Sequence, residues 1–200
     1  VSKYTCPGFM IVPRKPWQFG NENHSIVCGL CNVMFAVELV EGKDEPPQAP
    51  AKEHREKGKT VSLLLRLTKS IEGRGSIVVL DSGFCVLKGI TELRKRGIYA
   101  AAIIKKRRYW PKYIKGDEVK QHFHGKDPGT FDALKGTLDG EEFYLYCMQE
   151  PDYTTMFMTS YGTSQRMGKE QVRRVDDVTY RFKYPEVVYM HYAFRDPVDN

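Results

Sequence analysis

The stretch "GSIVVLDSGFCVLKGITELRKRGIYAAAII", Gly75–Ile104, decides how the rest of the chain is read. Four consecutive aliphatic residues, Ile77 to Leu80, suit a strand buried on both faces of a parallel sheet. The run stops at Asp81-Ser82-Gly83, and an amphipathic helix is expected from Phe84 to about Arg96. Its buried stripe would be Val86, Leu87, Ile90 and Leu93, and its wet face Lys88, Glu92 and Lys95. Ser82 is expected to cap the helix N-terminus, and Gly97 stands where a left-handed C-terminal residue belongs. A second apolar run, Ile98 to Ile104, completes a strand, helix, strand unit, which should cross over right-handedly into a parallel pair. Asp81 therefore falls at the carboxyl end of a strand, where open α/β sheets carry their working sites. On position alone, an aspartate there is as well explained as a turn former.

The elements on either side extend the pattern. The segment to Gly20 is rich in proline and aromatics and reads as irregular or edge structure. "HSIVCGLC" and "NVMFAVELV", His24 to Val40, read as the two strands of a hairpin. Glu41 to Lys59 is charged and proline-bearing, hence an exposed loop. A helix is expected over Thr60 to Ile71, where Val61, Leu64, Leu65 and Thr68 share one face. From Gly116 to Lys183, "EEFYLYCM", "YTTMFMTS" and "VDDVTYRFKY" read as strands between turns such as Lys126-Asp127-Pro128-Gly129 and Leu138-Asp139-Gly140. This β-rich region reads as an insertion rather than a continuation of the parallel sheet. A terminal helix starts at Pro185 and runs to about Arg195. An antiparallel meander followed by α/β units is the wiring of a ribonuclease-H-like core. The expected organisation is core over residues 1–105, basic loop and insertion over 106–183, and a terminal core helix over 184–200.

With 41% apolar and 12% aromatic residues the chain is neither disordered nor fibrous. No apolar stretch approaches the roughly 20 residues that cross a bilayer, so no membrane partner is expected. Five cysteines, an odd number thinly spread, fit a reducing compartment better than a disulfide framework. Cys28-Gly29-Leu30-Cys31 has redox or zinc spacing but no second pair in sequence and no following helix, and reads as two half-buried cysteines. His122 and His124 read as surface residues.

The net charge of +6 is concentrated in "KKRRYWPKYIK", Lys105 to Lys115, where basic residues alternate with Tyr109, Trp110 and Tyr113 and no acid intervenes. Such a mixture suits a polyanion backbone: cations neutralise phosphates while aromatics stack on bases. Asp196 and Asp199 could meet Asp81 across the sheet edge, and carboxylates clustered there would hold one or two Mg²⁺ ions that also share substrate phosphate oxygens.

These residues together resemble the piggyBac-type transposases and the host genes derived from them. "RKPWQFG", Arg14 to Gly20, looks like the family's lysine-proline segment, and "KTVSLLLRLTKSI" its helix before the second catalytic strand. "VVLDSGFCVLKGITELRKRGIYAAAIIKKRR" resembles the second catalytic strand, helix, strand and basic tail, and "YPEVVYMHYAFRDPVDN" the segment holding the third catalytic position. The resemblance implies that Asp81 and Asp199 are the second and third acids of a three-aspartate metal site holding Mg²⁺. It implies that Lys105, Lys106, Arg107, Arg108, Trp110 and Lys112 contact DNA, and that the partners are transposon ends and target, with TTAA preferred. End cleavage, strand transfer, a nuclear location and a homodimer follow from the same resemblance. The first acid would lie ahead of the lysine-proline segment. No Asp or Glu precedes Glu22, so the chain is expected to begin just after it. Whether the chain is an enzyme, or a domesticated DNA- or chromatin-binding module without catalysis, is open at this level.

Overall fold

Strand β6 (Tyr99–Ile103) organises the larger of two compact units. On one side it pairs in parallel with β5 (Ile77–Leu80), with Leu80 level with Ala102. On the other it pairs antiparallel with β9 (Thr154–Thr159), with Ala101 opposite Thr159. The sheet continues through β8 (Glu141–Gln149) to β7 (Phe131–Leu138), giving the order β5-β6-β9-β8-β7. The computed structural model describes residues 9–11, 13, 16–40, 53–105 and 115–195. The units divide at Ser70/Ile71.

Strands β7 to β9 were expected to stand apart from the parallel pair, and here the structure differs. They extend the same sheet. The reason lies in β9, where Thr155 to Thr159 are buried on both faces, as only an interior strand can be. The turns expected at residues 126–129 and 138–140 both form, and Asp139 and Gly140 take positive φ of 51° and 82° in the tight β7–β8 hairpin.

One face of the sheet presents Ala101, Tyr146, Met148 and Phe157. Phe182, Tyr184, Val187 and Val188 cover it. The first two come from β11 (Val178–Pro185), which pairs with β10 (Arg166–Val175) in a separate two-stranded ribbon, and the last two from α4 (Glu186–Phe194). The ribbon turns at Asp176-Asp177, both with positive φ, inside a segment that reads as one strand. Two small polar residues that tolerate the left-handed region supply the turn without glycine. Pro185, the expected first residue of the helix, is the last residue of β11 and the residue before α4, so the helix starts one position later than expected. Against the opposite face lie α2 (Leu87–Lys95) and α3 (Gly116–Phe123), the latter not expected from sequence.

The connection from β5 to α2 differs in detail from the sequence expectation. Ser82–Phe84 form a single 3₁₀ turn, and the helix begins at Leu87 with Val86 ahead of it and no side-chain cap. Ser82 therefore does not cap α2. The C-terminal end behaves as expected: Gly97 has φ +67°, its N–H donates to the carbonyl of Arg94 and that of Ile98 to Leu93, a Schellman ending. Ile90 and Leu93 are fully buried, but Glu92 is also buried and pairs with Lys95, so the polar face is narrower than expected.

In the smaller unit β1 (Phe9–Ile11) pairs with β2 (Phe19–Asn21), and β3 (Asn23–Val27) with β4 (Met34–Leu39), antiparallel in both cases. α1 (Lys59–Leu67) follows, with a 3₁₀ turn at Lys69–Ile71 where helix was expected to continue. Arg66 on α1 grips the Glu38 carboxylate of β4 with two nitrogens, Nε at 2.7 Å, and so fixes helix to hairpin by a planar two-point contact.

Two measurements test this packing. A Cβ at position 97 would meet Gly73 Cα at 3.2 Å and must adopt a left-handed backbone, so Gly97→Ala is expected to cost about 1–2 kcal/mol in urea unfolding. Glu150 is 2% exposed, and burial raises its carboxyl above the ordinary range, only partly offset by Arg173 and the Tyr184 hydroxyl. The folded state thus holds this proton more tightly than the unfolded chain. Its contribution is present at low pH and fades as pH rises through the raised value. Glu150→Gln is expected to gain stability relative to the parent as pH rises above the ordinary carboxylate range, measured by thermal unfolding at each pH.

Candidate metal and nucleic-acid site

Asp81 is the residue at which the chain leaves the carboxyl end of β5. Its backbone is still extended, at φ −63° and ψ 157°, and its carbonyl accepts the Phe84 N–H at 2.9 Å to close the turn. The carboxylate caps no backbone N–H of that turn and is exposed. The turn is therefore held by the main chain, and the side chain is left for another use. Gly83 lies beside it, where an added Cβ would stand 3.6 Å from Oδ2, an ordinary contact. Cys85, two residues further, is fully buried, and burial pushes its thiol up to about 12, so it supplies no thiolate near Asp81.

Parallel pairing brings a second element to the same end of the sheet. With Leu80 level with Ala102, β6 ends beside the β5 exit, and the chain leaves it through buried Ile104 to exposed Lys105. The basic run thus begins at the edge that carries Asp81. Lys106, Arg107, Arg108, Trp110 and Lys112 lie outside the described residues, as do Asp196 and Asp199. Among the described residues no three Asp, Glu, His or Cys side chains are grouped to hold a metal ion. Asp81 and Lys105 are the sequence-derived site residues whose positions can be given.

The other singled-out motifs resolve differently. His122 lies on the surface of α3, as expected, with Nε2 3.3 Å from Asp132 Oδ2. Cys28 is half-buried, as expected, whereas Cys31 is exposed, and both sit in the loop between β3 and β4. Backbone N–H groups of Leu30 and Cys31 point at the Cys28 sulfur and hold its thiol below the ordinary range. Gly29 and Asn32, turn-forming residues around the pair, are the sequence signal that marks a loop here.

A family model described as Transposase IS4 matches residues 1–200. The chain belongs to that transposase family. It is also similar to a piggyBac transposase in a cryo-EM structure of its synaptic complex with hairpin DNA, with a TM-score of 0.63 at 16% identity. That alignment covers 97% of this chain and 36% of the other, so this transposase domain spans about a third of that protein's length. At such identity the likeness is one of fold, a mixed α/β architecture on a mixed sheet. The family model makes this a transposase domain, and its fold is that of the piggyBac structure. No curated protein matches the sequence. Among the described residues no helix is long and apolar enough to cross a membrane.

The carboxylate of Asp81 is exposed and caps nothing in its turn. Asp81→Asn is expected to shift the unfolding free energy of the transposase domain by less than about 0.5 kcal/mol, as surface changes without a packing or capping role do. A larger loss in a denaturant titration would mean that the side chain builds the turn after all.

Proposed function

We propose that this chain is the catalytic domain of a piggyBac-like transposase, a ribonuclease-H-like core that binds DNA and breaks and joins phosphodiester bonds in DNA transposition. The observation that carries the reading is the Asp81 carboxylate, exposed at the carboxyl end of β5, the outer strand of the parallel pair, and unused by its own turn, in a chain whose whole length matches a transposase family. An exposed carboxylate with no structural partner in its turn suits a hard divalent cation that takes oxygen ligands. Asp81 and Asp199 would hold Mg²⁺, which supplies the Lewis acidity for phosphodiester transfer when bound.

The chain's own groups have separate tasks in this reading. The main-chain turn at Ser82–Phe84 fixes where the Asp81 carboxylate stands, so the site is partly built before any ligand arrives. Lys105, Lys106, Arg107, Arg108 and Lys112 neutralise backbone phosphates and hold the duplex, while Trp110 stacks on or wedges between bases. In this reading the partners are transposon ends and target DNA, the protein acts as a homodimer, and the location is the nucleus.

The test is nicking of transposon-end DNA with and without Mg²⁺ by the full-length protein that contains this domain. Asp81→Asn is expected to lower the cleavage rate by at least about 10²-fold while leaving DNA affinity unchanged. Replacing Arg107 and Arg108 with alanine is expected to weaken binding to all sequences alike, and to reduce the slope of log K against log salt by about 0.9 for each phosphate that is no longer neutralised. Equal cleavage by the Asp81→Asn protein would remove Asp81 from the chemistry.

A further inference from the structure

The loop that joins β3 to β4 is a built turn with two sulfurs in it. The Cys28 N–H donates to the carbonyl of Val33 at 2.8 Å, and the Asn32 N–H donates to the carbonyl of Cys28 at 3.0 Å. Asn32, directly after the second cysteine, takes φ +58°, the left-handed step that reverses the chain. Within this turn the Cys28 sulfur accepts the N–H groups of Leu30 and Cys31 and hydrogen-bonds the Cys31 thiol. Backbone donors aimed at a sulfur favour its anionic form, and the thiolate is the form that ligates soft metals. The other two cysteines described, Cys85 and Cys147, are buried and lack this arrangement.

Two thiolates separated by two residues supply two corners of a tetrahedron, the spacing found in structural zinc sites. Such sites close with four ligands, and among the described residues no third Cys, His, Asp or Glu groups with this pair. The hairpin end is also apolar where it meets water: Leu30 is 86% and Val33 57% exposed. A half-complete thiolate site on an exposed tip, ringed by aliphatic side chains, is complementary to another such tip.

We propose that Cys28 and Cys31 form half of a tetrahedral thiolate site for Zn²⁺, completed by the same two residues of a second copy of this chain, so that one ion clamps two hairpin tips together. Each thiol gives up its proton on ligation, four protons leaving for each ion, and no oxidant or reductant is consumed. The N–H donors on the Cys28 sulfur disperse the negative charge that four thiolates gather round one dication, and Leu30 and Val33 shield the site from water.

The experiment is a Co²⁺ titration of the chain under a phosphine reductant, followed by near-ultraviolet sulfur-to-cobalt charge transfer, visible ligand-field bands and light scattering. The expected result is intense tetrahedral bands that saturate at one ion per two chains, a doubling of mass over the metal-free protein, and displacement of the bands by Zn²⁺. Cys28→Ser and Cys31→Ser should each abolish bands and association without changing the melting temperature of the metal-free protein. Cys6→Ser should leave both intact. The proposal is overturned by saturation at one ion per chain with no change in mass, by bands that survive in the double Cys28→Ser, Cys31→Ser protein, by loss of binding in Cys6→Ser, or by no thiolate bands at all.

Discussion

The side chains of Ala100, Ala101 and Ala102 are among the smallest available, and none of the three residues exposes any surface. Everything in the larger unit rests on that thin strand. β6 accepts a parallel neighbour on one edge and an antiparallel one on the other, and a strand with small side chains lets bulky ones approach from both layers. Phe157, on the neighbouring strand, fills one face together with residues of β11 and α4. Ser160 closes the junction, accepting the Ala100 N–H on its hydroxyl at 3.0 Å and donating its own N–H to the Ala100 carbonyl at 2.9 Å. Larger side chains at Ala100 to Ala102 would push the layers apart, and with them the end of β5 that carries Asp81.

The central unit is legible because its signals are strong and local. Four unbroken aliphatics, an amphipathic helix and a glycine at the right offset leave few alternatives to a strand, helix, strand crossover. What the sequence hides is decided by long-range pairing. β10 reads "RMGKEQVRRV", polar enough to pass for a loop, and becomes a strand only because β11 offers it a ladder. β7 shows little of itself to the core, and its place at the sheet edge follows from β8 rather than from its own composition. Ser82 fails as a cap for a different reason: the side-chain rule is sound, but a 3₁₀ turn consumes the residues that would have begun the helix.

The site is legible to a lesser degree. Strand-end logic marks Asp81 and nothing more, since an aspartate there has two good explanations. The structure shows that the carbonyl closes the turn and that the carboxylate caps none of its N–H groups. The basic run is legible from its own composition, but the pairing of Asp199 with Asp81 follows from resemblance, since no local pattern could link them across more than a hundred residues. The cysteine pair is plain in the sequence by its spacing, but its exposure is not: the apolar residues on either side suggest two half-buried thiols, whereas the turn that Asn32 makes in the left-handed region leaves Cys31 exposed.

The independence of Asp81 from its own turn bears on how such a gene can age. Selection for a folded, long-lived protein sees the aliphatic run, the alanines and Gly97, but it is nearly blind to the carboxylate. If a lineage ceased to need the chemistry, this aspartate could drift to a neutral residue while the strand beneath it stayed under full constraint. On the proposed reading of Asp81, a descendant would therefore keep the architecture intact for other uses after losing the chemistry. Shape similarity between two such proteins would then speak of fold alone, and the residue at the end of this one strand would be the place to look for shared activity.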